Sequence, residues 1–298
     1  STAVGSHTLI NQNFTTATDT YNTVVGYGAG KEVTTGTGNT LIGSLAGDSL
    51  TDADRNIAIG YLALPADTLG SRSIAIGIGA LEAQNFTSAT DTYNIAMGYD
   101  TGNSISTGVK NTLIGGLAGE TITTGDYNVI VGYSNQSAAV GTDTQIIIGQ
   151  SVTGVGANNF TFGNGATDSN IAFGATSITA PSDQRYKEEI ADATAGLAFI
   201  KDLRPVTFKW KKENDVPSDH PSYVEGSDTR VINDYTNHGF IAQEVKTAID
   251  AHSEIKDGFD MWSEQGSGGR QRLGPSSLIP MLVKAIQELE ARIATLEG

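Results

Sequence analysis

The chain has 298 residues, 36 of them glycine and none cysteine, with 38% hydrophobic and 17% charged residues and a net charge of −15. Without cysteine neither a disulfide framework nor a thiolate metal site can form, and the acid excess argues against a nucleic-acid-binding surface, which needs clustered Lys and Arg. The glycine content fits a repetitive β structure whose turns need positive φ, and acidic charge keeps a long assembly soluble.

The length allows two or three domains. No apolar run approaches a membrane span, so no membrane insertion is expected, and no signal peptide is visible. The chain begins at Ser1 rather than Met, which suggests trimming or truncation of a longer protein.

From the N-terminus the sequence repeats. Asn22-Thr23-Val24-Val25-Gly26 returns as Asn39–Gly43, Asn56–Gly60, Ser73–Gly77, Asn94–Gly98, Asn111–Gly115 and Asn128–Gly132, with weaker copies at Gln145–Gly149, Asn159–Gly163 and Asn170–Gly174. The period is 17 residues, or 21 where an insert enters, and it shortens to 14 and then 11 at the end. The insert is nearly duplicated, Gln12–Tyr21 against Gln84–Tyr93, so a 72-residue super-repeat overlies the short one.

Val25, Ile42, Ile59, Ile76, Met97, Ile114 and Val131 form one column, sharing a strand face with the residues two places earlier. A single strand cannot bury that apolar face; stacked coils would turn it into a continuous core, as in a solenoid. About ten coils at ~4.8 Å each predict a rod roughly 45 Å long. These Asn-x-[AL]-I-G cores resemble the β-roll heads of trimeric autotransporter adhesins and similar repeats in phage tail fibres, over residues 1 to about 175. A monomeric solenoid would use comparable residues.

Near residue 180 the character changes. Residues 1–181 hold only Lys31, Arg55, Arg72 and Lys110 as basic residues, and both tryptophans, Trp210 and Trp262, lie beyond. The boundary is drawn between a β-solenoid shaft, 1–179, and a second domain, 180–298. There Asp192–Leu203 reads as a helix stopped by Arg204-Pro205, and Val206–Trp210 alternates as a strand. Residues 213–236 read as a polar loop. His238–Val245 leads into a second helix, and a third follows Pro275-Ser276-Ser277.

That last helix carries Leu282, Ile286, Leu289, Ile293 and Leu296, the 4-3-4-3 spacing of a coiled-coil seam. Alternating Ile and Leu favours two strands, but the run is barely two heptads and leaves the stoichiometry to the rest of the assembly. The seam also reads as a helix packed on its own domain.

Four motifs stand in order: Ser182-Asp183-x-Arg185-x-Lys187, Leu203-Arg204-Pro205-Val206-x-Phe208-x-Trp210, Gly239-Phe240-Ile241-Ala242-Gln243-Glu244-Val245 and Leu278-Ile279-Pro280 through Glu288-Leu289. Together they resemble the endosialidase-type intramolecular chaperone domain at the C-termini of phage tail spikes and fibres. The fold class that follows is mainly β: a trimeric parallel β-solenoid, then a small α+β chaperone domain ending in a coiled-coil helix.

The resemblance implies a homotrimer whose C-terminal domain guides folding of the shaft and then cuts itself off at Pro181–Ser182. It makes Ser182 the nucleophile and Lys187 its base, with Asp183 and Arg185 supporting. It also implies a virion protein assembled in the host cytoplasm and attached to a surface glycan or protein receptor, needing no cofactor.

A serine needs a base within hydrogen-bond reach. A lysine serves only once its ammonium has lost its proton, which burial or a nearby cation such as Arg185 promotes; Arg185 equally suits a developing oxyanion. On spacing alone, the stronger reading of Ser182 is a helix cap with Lys187 solvated. Pro181 is a departure from the pattern: it leaves a cuttable amide but restricts φ beside the cut, which works against rapid cleavage.

Elsewhere His7, His220, His238 and His252 lack metal-ligand spacing. Gly26–Gly30 lacks the Lys-Ser/Thr of a phosphate loop. Asp19 and Asp91 recur in the inserts as turn residues more than as the paired carboxylates of a glycan-degrading spike. A surface adhesin fragment remains the other alternative.

Overall fold

The structure is a computed structural model that describes residues 1–257, 259–265 and 269–297. The chain divides into two compact units, Ser1–Tyr186 and Lys187–Gly298; the stretch carrying Pro181 and Ser182 closes the first.

The first unit is a parallel β-solenoid. Its main strands are β1 (Thr2–Val4), β2 (Thr23–Val25), β3 (Thr40–Ile42), β4 (Ile57–Ile59), β6 (Ile74–Ile76), β8 (Ile95–Met97), β9 (Thr112–Ile114), β10 (Val129–Tyr133), β11 (Gln145–Gln150), β12 (Asn159–Asn164) and β13 (Thr167–Ala172). They form one 11-stranded sheet in chain order. Two short strands, β5 (Gly70–Ser71) and β7 (Thr90–Asp91), pair where the second insert returns.

The register aligns every repeat, as in Leu41↔Ala58 and Ala96↔Leu113. All pairings are parallel except the last: β13 folds back antiparallel on β12. The copy read at Asn170–Gly174 is therefore the return arm of a hairpin and not a coil. Only the two residues Gly165-Ala166 join these strands, a link that suits a hairpin and not a parallel return, and Gly165 makes the reversal at φ +56°.

The core lies on the opposite strand face from the one expected. The middle residue of each triplet points inward, and Val24, Leu41, Ala58, Ala75, Ala96, Leu113, Ile130 and Ile147 are wholly buried. The column read as core faces out: Val25 is 36% exposed, Ile42 38%, Met97 39% and Ile114 40%. The return half of each coil explains this. Leu50, Ile105, Ile122 and the alanines Ala29, Ala46, Ala63, Ala80 and Ala118 meet the inner column, so a small or mid-sized inner residue suffices.

Polar ladders run through this core. Asn39 Nδ2 donates to the Ala53 carbonyl at 2.8 Å, while its Oδ1 accepts the Asn56 N–H at 2.8 Å. Asn22, Asn56, Asn94, Asn111 and Asn128 repeat the donor half of this with carbonyls 14 residues on. Each Asn thereby satisfies backbone groups that the coil geometry leaves unpaired.

Three columns contain non-glycine residues in the left-handed conformation, at roughly 1–2 kcal/mol each. In one, Leu64 and Leu81 (φ +53° and +54°) offset this by complete burial. A second lies just before the Asn ladder, where Tyr21, Arg55, Arg72, Tyr93, Lys110, Tyr127, Thr144 and Asn158 take φ between +50° and +65°, and a third runs through His7, Leu45, Leu62, Asp100, Leu117, Ser134 and Ser151; neither is fully buried.

The second unit contains α1 (Leu197–Asp202), β14 (Val206–Phe208), β15 (Asn237–Gly239), α2 (Ala242–Ala251), β16 (Trp262–Glu264), β17 (Gln271–Leu273) and α3 (Leu278–Glu297). Strands β14 and β15 pair antiparallel, as do β16 and β17. Helix α1 is shorter than the expected 192–203. Its first N–H, on Leu197, donates to Glu288 Oε2 of α3 at 2.9 Å. A Cβ on Gly196 would come within 2.6 Å of Glu288 Oε1, so the carboxylate fixes the start at that glycine. The strand read as 206–210 stops at Phe208, where its pairing with β15 ends, and the hairpin β16–β17 was not expected.

Phe199, Leu203, Val245, Ile249, Met261 and Leu278 form this unit's core. Only Leu278 and Ala285 of α3 are buried, while Leu282, Ile286, Leu289, Ile293 and Leu296 are exposed. Among the described residues no helix is long and apolar enough to cross a membrane.

Candidate functional site

The candidate site begins where the chain leaves the solenoid. Asn170 and Thr179 exchange backbone hydrogen bonds at 2.8 Å in both directions, tying the departing chain to β13. Ala180, Pro181 and Ser182 follow without regular structure and exposed. A 3-10 turn then spans Gln184–Tyr186, and Lys187, also exposed, comes directly after it.

Asp183 caps that turn. Its Oδ1 accepts the Arg185 N–H at 2.9 Å, and its backbone carbonyl accepts the Tyr186 N–H at 3.1 Å. Arg185 folds back on the same carboxylate, with Nε and Nη2 at 2.9 and 2.5 Å from Oδ2. This hydrogen bonding holds the Asp183 carboxyl below its ordinary range. The guanidinium also lies 6.0 Å from the Tyr186 ring centroid. Thus Asp183 and Arg185 are brought together, and the short Asp-x-Arg spacing is the sequence signal for it. The pair engages the cation that sequence reasoning assigned to the base or the oxyanion.

The other three motifs converge within the second unit. Leu203 packs in the core beside Val245, and Val206 pairs with Gly239 across β14 and β15. Arg204 makes a forked ion pair with Glu244, its Nε 3.0 Å from Oε2. Glu288 closes the circuit by capping α1. These contacts cross 40 and 91 residues of sequence, and nothing in local spacing pairs Arg204 with Glu244 or Leu197 with Glu288.

His252, which has no metal-ligand spacing in the sequence, joins two helix ends. Its Nε2 lies 2.8 Å from Asp202 Oδ2 and its Nδ1 3.0 Å from Glu254 Oε1, with the side chain only 13% exposed. The Asp202 hydrogen bond, and then the Glu254 one, raise its pKa above the ordinary histidine value.

The recurrent aspartates have structural partners: Asp91 is ion-paired with Arg72, and Asp19 accepts the Tyr21 hydroxyl at 3.2 Å. A buried carboxyl that sequence reasoning missed is Asp67. It accepts from Gln84 Nε2 at 2.6 Å and from the Gly70 and Phe86 N–H groups at 3.0 Å each. Burial pushes its pKa up. Among the described residues no cluster of three His, Asp or Glu side chains is placed to hold a metal ion.

Residues 182–253 match the family described as chaperone of endosialidase. The match opens on Ser182 and takes in the first three motifs; the fourth, on α3, lies beyond it. No curated protein and no solved structure matches the chain.

Proposed function

We propose that this chain is a phage tail-fibre or tail-spike protein for host-surface attachment. In this reading its C-terminal domain joins three copies, guides folding of the shaft and then severs itself between Pro181 and Ser182. The observation that carries it is a match to an endosialidase chaperone beginning at Ser182, on a chain whose preceding part is a parallel β-solenoid. The peptidase family suggests autoproteolytic chaperone activity, and the combination with a solenoid supports a tail-fibre-like protein of the virion.

Two uncovered apolar surfaces support association. The outward column of Val25, Ile42, Met97 and Ile114 runs along the sheet, and the seam Leu282 to Leu296 runs along α3. Contiguous exposed apolar surface of this kind marks interaction sites. Association of three such shafts adds non-local contacts between copies, which form slowly, so a clamp that sets register has a physical use.

In the proposed cleavage Ser182 Oγ attacks the Pro181 carbonyl carbon while Lys187 Nζ takes the hydroxyl proton. The carbon–nitrogen bond breaks, Lys187 returns that proton to the leaving Ser182 amine, and an ester joins Pro181 to Oγ. Water then hydrolyses the ester, giving a Pro181 carboxylate and a new Ser182 N-terminus. Holding both reactants in one chain provides an effective molarity on the order of 10⁵ M or more. Cleavage after assembly removes the clamp and makes unfolding hard to reverse, which is kinetic stability.

The test compares wild type with Ser182→Ala and Lys187→Ala on a denaturing gel and by light scattering. Wild type yields fragments of 181 and 117 residues, and both variants stay whole yet trimeric. An uncut trimeric wild type refutes the cleavage step, and a monomeric one refutes the assembly.

A further inference from the structure

The two inserts fold alike, yet their buried side chains are not equally satisfied. In each, a serine hydroxyl meets a threonine hydroxyl, Ser1 with Thr20 at 2.5 Å and Ser73 with Thr92 at 2.6 Å. Asn22 and Asn94 donate to the Gly36 and Gly108 carbonyls at 2.8 and 2.7 Å. The Gln12 and Gln84 N–H groups donate to the Leu9 and Leu81 carbonyls, both at 3.2 Å. Both leucines take the left-handed conformation.

The two glutamine side chains differ. Gln84 Nε2 donates to Asp67 Oδ2 at 2.6 Å and to Ser73 Oγ at 2.8 Å. Gln12 Nε2 is buried as well, but it has no hydrogen-bond partner among the described residues. A buried donor without an acceptor carries its full desolvation cost. Asp67 stands 17 residues before Gln84, in the coil of β4, and β4 pairs with the β6 strand that follows. The corresponding place for Gln12 is on the free side of β1, the first strand of the sheet. Strand β1 is exposed throughout, and its Ala3 is open to solvent whereas the counterpart, Ala75, is wholly buried. An open strand edge is a template for pairing, and the end repeat of a solenoid needs a cap.

We infer that this end of the rod is a docking face for one further parallel coil of the chain's own kind, entering directly before Ser1 and placing a carboxylate over Gln12 Nε2. Residues 56–72 show the chemistry required. There β4 covers β6, and Asp67 accepts from Gln84 Nε2 and from the Gly70 and Phe86 N–H groups. All three partners are donors and they use both carboxylate oxygens, so a side-chain amide would turn its NH₂ toward one of them. A small anion would answer Gln12 but leave the β1 edge and Ala3 uncovered; a coil answers all three. The inference stands independently of the attachment reading.

The test joins a copy of residues 56–72 directly before Ser1 of the full chain. Gln12→Leu is then made in three backgrounds: the chain as it is, the chain with the added coil, and the chain whose added coil carries Asp67→Ala. Far-UV circular dichroism reads the melting of the sheet, and tryptophan fluorescence of the second unit is the internal control. Gln12→Leu should cost nothing in the unextended chain and should lower the midpoint by at least ~3 °C beside the added coil. It should cost nothing again once the added aspartate is gone, because a pair energy needs both partners. A loss of ~3 °C or more in the unextended chain overturns the inference, whether or not the extended one folds. So does an added coil beside which Gln12→Leu costs nothing, and so does a loss that persists without the aspartate.

Discussion

Replacing Asn39 by alanine tests the idea that the polar ladder, and not apolar stacking alone, holds the coils in register. The change removes the donor to the Ala53 carbonyl and the acceptor for the Asn56 N–H, both at 2.8 Å and both inside the shaft. Two orphaned buried groups at ~1–3 kcal/mol each give a loss of about 2–6 kcal/mol per chain. The control is Thr35→Ala, which removes an exposed 2.5 Å bond to Asp52 and should cost no more than ~0.5 kcal/mol, like other surface changes.

Far-UV circular dichroism during denaturation reads the sheet. Tryptophan fluorescence reads only the second unit, since Trp210 and Trp262 both lie there. The first signal should shift and the second should not. A natural variation shows what the position requires. Where the ladder carries Ser73, its N–H still donates to Asn56 Oδ1 at 2.8 Å, while its Oγ lies 2.6 Å from Thr92 Oγ1 and accepts from Gln84 Nε2 at 2.8 Å. An Asn39→Ala loss no larger than that of Thr35→Ala would refute the reasoning.

Gly60→Ala should destabilise the shaft by at least ~2 kcal/mol, the range of backbone strain, because φ is +137° and a Cβ would meet the Gly77 carbonyl oxygen at 2.5 Å; an unchanged melting curve would contradict this. His252 makes the second unit sensitive to pH. Its raised pKa means the folded state holds the proton more tightly, so its contribution is complete below the unfolded value of about 6.5 and fades as pH rises through the folded one. Tryptophan-detected melts should therefore decline above pH 6.5, and His252→Gln should flatten that decline; an equal slope in the variant would exclude His252 as its source.

The solenoid was legible from Asn22, Gly26 and their copies, because a repeat every 17 residues fixes strand, turn and register together. The motif Ser182 to Lys187 was legible for a similar reason, since its residues are near neighbours along the chain. The inward face was not. Val24 and Val25 are both apolar, and alternation says only that they point to opposite sides; Ala29, Ala46 and Leu50, folding back from the far side of the coil, decided which side became the interior.

The second unit shows the same division. The sequence determined by itself that Leu197–Asp202 and Leu278–Glu297 would be helical, since a helix is built from contacts three and four residues apart. Only the tertiary structure decided that α1 starts at Gly196, that Arg204 reaches Glu244 and that His252 bridges Asp202 and Glu254. Most of those partners lie 40 or more residues apart, and they meet only after the intervening chain has given up its entropy to hydrophobic burial.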